Sequence, residues 1–166
     1  MSDQPSPLVT RWNRDDERES AEFVALLTDY HRQTEAEKGA PVTSVADLSA
    51  KYSAEIDDPR RVFAAHQVFL AHDRGRVAGC LVVTEHPGDR LELKRLWTDP
   101  AHRGRRVATA LLDAAHHHAV HVGAPGIRLS VWQWRADAIA LYRKAGFVET
   151  ASWEDREQLT CMIRDV

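Results

Sequence analysis

The sequence predicts an α/β domain with a mixed, mainly antiparallel central sheet containing one strand–helix–strand unit. Three observations predict it. Residues 15–56 carry apolar residues at helical spacing. Residues 67–98 switch to alternation of period two. Residues 90–132 then place a strand, a charged loop, an apolar helical stripe and another strand in succession.

Each element has its own local cause. Residues 1–10 lack periodicity and read as a flexible tail, leaving 11–166 as a single domain. From Asp15 onward Phe23, Leu26, Leu27 and Tyr30 share one helical face, with Asp15, Asp16, Glu17 and Glu19 complementing the helix N-terminus. "EKGAP" (37–41) ends that helix. A second helix is expected with Ser44 as cap and Val45, Leu48, Tyr52 and Ile56 as its stripe, and "DDPRR" (57–61) as a loop. "QVFLAH", "DRGR" and "VAGCLVV" read as a hairpin, "HPGD" (86–89) as a turn and "RLELKRLWT" (90–98) as a third strand. Asp99-Pro100 stops that strand, because proline cannot donate to the ladder. The next helix carries Ala108, Leu111, Leu112, Ala115, Ala119 and Val122 and stops at Gly123. "GIRLSVW" (126–132) alternates as a strand, Asp137–Ala145 reads as a short helix stopped by Gly146, and "FVETASW" and "QLTCMIRD" form a final strand pair.

Bulk properties exclude several function classes. No apolar run reaches the 18 or so residues of a membrane span, so no membrane partner is expected. The N-terminus has no basic stretch followed by an apolar one, which makes a cytoplasmic protein the expectation. Cys80 and Cys161 read as buried free thiols, and two cysteines make no zinc site. A net charge of −3 argues against nucleic-acid binding and mildly favours cationic partners. His117 and His121 share a helix face with Asp113, but positions i and i+8 lie about 12 Å apart, so the three cannot hold one ion and no metal is expected.

The most informative stretch is "HRGRRVATALL", residues 102–112. Three arginines stand where a helix begins, adding to the positive end of the dipole and its unpaired N–H groups. Such a start is stabilised by a polyanion such as a pyrophosphate, which Gly104 and Ala108 are small enough to let approach. A solvated basic turn is the other reading.

"RLWTDPAHRGRRVATALL" resembles the acyl-CoA-binding motif of the GNAT superfamily of N-acetyltransferases, and "RADAIALYRKAGFVE" (135–149) resembles that family's second signature. With the preceding strands the resemblance covers about residues 65–165. It implies a GNAT-like sheet and acetyl-CoA as cosubstrate. Arg103 and Ala108 fill the first and sixth places of the family loop, and Arg106 stands at the fourth, where glycine is usual. The backbone from Arg103 through Gly104, Arg105, Arg106, Val107 and Ala108 to Thr109 would hold the pyrophosphate. Helical angles at Arg106 would leave that cradle intact. The strand end Leu96, Trp97 and Thr98 would run beside the pantetheine arm, in a slot opened where this strand bulges and splays from "IRLSVW". Arg135, where asparagine is common, would also contact the coenzyme.

By the same resemblance Tyr142 lies near the coenzyme sulfur, suited to protonate the departing thiolate; otherwise it only packs. Glu92 matches a place where several members carry a base; otherwise it is a surface charge paired with Lys94 or Arg128, and Glu85 is the reserve. Period two puts Glu92, Lys94, Leu96 and Thr98 on one face before any bulge. Tyr30 and Trp134 are candidate acceptor contacts. The expected reaction is direct acetyl transfer to a primary amine of a small cationic molecule, by a monomer or homodimer. Protein amines as acceptors, or a non-catalytic acyl-CoA sensor, are the rival readings.

Overall fold

The computed structural model describes residues 4–86 and 88–166. Seven strands form one sheet in the order β1-β2-β3-β4-β5-β7-β6. They are β1 Leu8–Arg11, β2 Gln67–Asp73, β3 Arg76–Thr84, β4 Leu91–Thr98, β5 Gly126–Trp132, β6 Val148–Thr150 and β7 Leu159–Asp165. Only β4 and β5 pair parallel; every other neighbour pair is antiparallel. The helices are α1 Glu17–Glu37, α2 Ala50–Asp57, the single turn α3 Pro59–Val62, α4 Val107–His121 and α5 Ala136–Lys144.

The sheet is covered on both faces, so β3 is buried almost throughout and β2 is buried over Val68–Ala71. On one face Leu81, Val83, Leu91, Leu93, Ile127 and Leu129 pack against Val107, Leu111, Leu112 and Ala115 of α4. On the other, Val68, Leu70, Cys80 and Val82 meet Phe23, Leu26 and Leu27 of α1. Fully burying one such side chain contributes about 1.5–3 kcal/mol, and the alternation sends successive strand residues to opposite cores. Asp16 caps α1 by accepting from the Glu19 N–H at 3.0 Å.

Several local expectations are corrected. The tail expected over 1–10 ends earlier: Leu8–Arg11 pair with β2, and Thr10 Oγ1 lies 2.9 Å from His72 Nε2; residues 1–3 lie outside the described residues. The expected second helix is divided. Ser44 caps a single 3₁₀ turn, Val45–Asp47, and Ser49 caps α2. Part of the expected 57–61 loop is helical, because Asp58 caps the proline-led turn α3. Val122 ends α4 exposed rather than on its apolar face. In the turn at 86–89 the Asp89 N–H donates to the His86 carbonyl, while Pro87 lies outside the described residues.

The decisive feature is in β4. Cys80 pairs with Trp97 and Val82 with Lys94, so two β4 residues face one on β3. Arg95 is the extra residue, in the left-handed region at φ 57°. The bulge reverses the alternation: Leu96 packs towards α4, whereas Trp97 packs towards α1. Glu92 and Leu96 therefore do not share a face. The Arg95 guanidinium grips Glu55 of α2 at 2.6 and 3.0 Å, and His31 Nε2 of α1 lies 2.7 Å from the same carboxylate. Burial alone would raise the Glu55 carboxyl, but hydrogen bonds from His31 and Arg95 outweigh it and hold it at about 2.

Two predictions follow from this packing. A Cβ on Gly79 would lie 2.5 Å from Val107 Cγ1 and 3.0 Å from the Trp97 carbonyl oxygen. Gly79→Ala is therefore expected to cost about 1–3 kcal/mol, read as a lower urea midpoint at unchanged slope. Glu55 is held below its ordinary 4.5, so the folded state binds fewer protons there than the unfolded one. Its stabilisation is complete above about pH 4.5 and is lost as pH falls towards 2. Glu55→Gln leaves Arg95 buried without its counter-ion, a loss of about 3 kcal/mol at neutral pH. Thermal melts from pH 7 to pH 2 should show the gap between wild type and variant closing as the medium acidifies; a constant gap would refute the assignment.

Candidate active site

Strands β4 and β5 pair only at Leu91–Ile127 and Glu92–Arg128 and then diverge. The bulge at Arg95 turns the rest of β4 away, leaving its outward N–H and C=O groups facing an open slot. The slot belongs to a cleft of about 1170 Å³, lined by β4, β5, the start of α4, α5 and, on the opposite wall, α1 and α2. Pockets for one small ligand run to roughly 300–1,000 Å³, so this cleft has room for a coenzyme arm and an acceptor together.

One end of the cleft is built for anions. Helix α4 begins at Arg106 with no side-chain cap on its first N–H groups. Arg106 lies at φ 63°, ψ 20°, the left-handed region, and Gly104 at φ 75°. The expectation of helical angles at Arg106 is thus corrected: the usual glycine suits this position, and an arginine bears a strain of about 1–2 kcal/mol. The loop is pinned from behind. Arg105 binds Asp73 through Nε at 2.5 Å and Nη2 at 3.2 Å, and His102 lies 3.8 Å from the same carboxylate. The Arg105 hydrogen bond holds the Asp73 carboxyl below its ordinary range. Arg103, Gly104, Arg106, Val107, Ala108 and Thr109 line the cleft, while the Arg105 side chain is committed to Asp73. The Arg103 guanidinium rests 5.2 Å from the Trp97 ring.

The two expected acid–base residues also line the cleft. Tyr142 of α5 is buried, its ring 5.8 Å from that of Phe147. Burial and the neighbouring Tyr30 raise its phenol and Arg135 offsets this only in part, so the hydroxyl keeps its proton. Glu92 lies near Arg128 at 3.8 Å, Lys94 at 3.9 Å and His86 at 3.7 Å. Glu85, the reserve base, is excluded by position: it faces the α4 side, where it lies 2.8 Å from His118 Nε2.

The α1 side of the cleft holds what the sequence reading missed. Arg135 was expected on the coenzyme, but its side chain crosses to α1, with Nε donating to Glu37 at 2.8 Å and Nη2 to Thr34 Oγ1 at 2.8 Å. Trp134 Nε1 also donates to Glu37, at 3.0 Å, and its ring stacks on Trp132 at 4.7 Å. Tyr30 has two guanidiniums against its ring, those of Arg95 and Arg135, each 5.6 Å from the centroid. Across the cleft, Ser130 Oγ donates to Glu154 at 2.9 Å. A polar His31 and Glu55 in otherwise apolar stripes were the available signals; Glu154 gave none.

Among the described residues no group of three or more His, Cys, Asp or Glu side chains could hold a metal, and no helix is long and apolar enough to cross a membrane. Cys80 and Cys161 are buried free thiols.

Comparison with known proteins gives this geometry a family. The paia N-acetyltransferase of Thermoplasma acidophilum, solved in complex with coenzyme A, superposes with a TM-score of 0.76 at 16% identity, over 98% of this chain and 100% of that one. A GNAT family acetyltransferase from Elizabethkingia anophelis with acetyl-CoA bound superposes with a TM-score of 0.64 at 12% identity, over 98% and 100%. At these identities the likeness is one of fold. A curated relative, the IAA acetyltransferase of Azospirillum brasilense, is 32% identical over 81 residues, covering 48% of this chain and 53% of its own. The match thus spans about half the length of that relative. The pattern of the Acetyltransferase (GNAT) family itself matches residues 22–147, from α1 through both motifs to the end of α5. The chain belongs to the GNAT acetyltransferase family.

Proposed function

We propose that the protein is an acetyl-CoA-dependent N-acetyltransferase that acetylates a primary amine of a small molecule by direct attack in a ternary complex. The observation that carries this reading is the β4–β5 slot, running from an uncapped, arginine-flanked helix start to a buried tyrosine and a carboxylate. In it the α4 N–H groups and Arg103 and Arg106 take the pyrophosphate, and Leu96, Trp97 and Thr98 pair with the pantetheine arm. The family match and the acetyltransferase relative support acetyl transfer as the reaction.

A free amine of ordinary pKa about 10.4 arrives protonated, so one proton must leave before nitrogen attacks. Glu92 takes it, directly or through water. Nitrogen then bonds to the thioester carbon, the C–S bond breaks, Tyr142 gives its proton to the departing sulfur, and the second proton that the new amide nitrogen sheds restores the phenol. Thiol release with a panel of amines tests the whole reading; absence of release with every amine, beside intact acetyl-CoA binding, would make the domain a sensor.

Each proton-transfer role has its own test. Tyr142→Phe removes the hydroxyl and keeps the ring, so stability and coenzyme affinity should hold while turnover falls by about 10²–10⁴-fold. Wild-type turnover would make Tyr142 a packing residue. Glu92→Gln should slow turnover most near neutral pH and recover partly towards pH 10, where more amine arrives neutral. An unchanged pH–rate profile at full activity would remove Glu92 from the mechanism.

A further inference from the structure

The acceptor half of the cleft has two unlike walls. On the α1–α2 side the cleft is lined by Arg95 and Arg135, together with Lys38, Lys51 and Glu37. Arg95 and Arg135 each approach the same Tyr30 ring, at 5.6 Å from its centroid, and both line the cleft. Both are held from behind: Glu55 accepts from Nε and Nη2 of Arg95, while Glu37 and Thr34 accept from Nε and Nη2 of Arg135. Among the described residues those bonds use Nε and Nη2 alone, and each fork keeps its Nη1 edge for a further acceptor. The carboxylates behind them are already engaged. Glu55 is buried between Arg95 and His31, and Glu37 accepts from Trp134 as well as Arg135. A second cation on the acceptor would meet carboxylates that already pair with these guanidiniums, whereas an anion would find two preoriented forks.

The sheet side presents two further carboxylates, each with cationic neighbours. Glu92 lies there on β4, and Glu154 accepts from Ser130 of β5 and pairs with Arg156 at 3.3 Å. Both glutamates line the cleft. An ammonium placed beside these glutamates would leave a carboxylate of the same molecule towards the α1–α2 side.

We propose that the acceptor is an amine that also bears a carboxylate, an amino acid in the broad sense, and that Arg95 and Arg135 bind that carboxylate beside Tyr30. The inference rests on the amine-acetylation reading and narrows it: of the small amines that reading admits, polyamines and other amines without a carboxylate are poor acceptors. Arg135 thereby becomes a substrate residue rather than a coenzyme residue.

Matched acceptors test this on the native protein. Thiol release is measured for a series of α-amino acids, for their carboxamides and for the corresponding decarboxylated amines, side chain by side chain. A charged hydrogen-bonded pair lost from the transition state should lower kcat/KM for the amides and bare amines by about tenfold to a hundredfold. Arg135→Gln should move the acid-to-amide ratio towards one, while the Kd for coenzyme A, followed by calorimetry, stays within a few-fold of wild type. Equal use of acids, amides and bare amines overturns the proposal, and so does a preference for peptide N-termini or lysine side chains. If no amine is turned over, the acetyltransferase reading has failed separately. The carboxylate site is then judged by calorimetry of N-acetyl amino acids against their amides on the coenzyme A-loaded protein. Tighter binding of the acids is the expected result, and equal binding overturns it.

Discussion

The bulge at Arg95 is the constraint on which the site depends. An unbroken β4 would continue pairing with β5 past Glu92, close the slot and spend its backbone groups on the neighbouring strand. A left-handed arginine is costly, so something must hold it. The structure does so from two sides: the Cys80 thiol lies 3.4 Å from the Arg95 carbonyl, and the side chain is locked onto Glu55 between Tyr30 and Tyr52. Burial pushes the Cys80 thiol up to about 12, so it keeps the proton it donates. Helices α1 and α2 are thereby tied to the same residue that opens the cleft. The acceptor wall and the coenzyme slot share one support.

Much of this was legible in the sequence. Period-two alternation located β2 to β5, and the arginine-rich helix start located the anion end, because both are local patterns. The bulge also left a trace that alternation alone passes over. Leu91 and Leu93 set one phase, Lys94-Arg95 puts two polar residues in succession, and Leu96 resumes on the other phase. Reading the strand as unbroken put Glu92 and Leu96 on one face. What stayed illegible is long-range. That Glu55 would meet Arg95, 40 positions away, or that Arg135 would cross to Thr34, 101 away, is written in no local period. Leu8–Arg11 is equally hidden from a local pattern: a four-residue edge strand has too few residues to show a period.

The loop at the start of α4 shows strain and function meeting at one residue. Gly104 and Arg106 both adopt positive φ, a geometry that points neighbouring N–H groups towards a common centre. At Arg106 the chain accepts a Cβ in this region and gains a guanidinium at the cleft's anion end. The Arg105–Asp73 clamp supplies the rigidity that makes such a conformation persist, and its position on the β2–β3 hairpin keeps it off the slot. Charge here is thus divided among three consecutive roles: Arg103 stacked on Trp97, Arg105 spent on structure, Arg106 turned inward.

The two proton-transfer candidates owe their suitability to opposite surroundings. Tyr142 sits among apolar side chains of the α4 core, where an ionised phenol is disfavoured and a proton is retained until a developing thiolate demands it. Glu92 sits on the other face of the sheet in a polar setting, with Lys94 at 3.9 Å, Arg128 at 3.8 Å and His86 at 3.7 Å from its carboxylate. Alternation along β4 sends Glu92 to that face, and α5 carries Tyr142 into the core on the other. Where β4 and β5 part, residues from both faces, Glu92 and Tyr142 among them, line one cleft. The splay of the two strands is therefore what opens, to a single ligand, side chains that a continuous sheet would keep on separate faces.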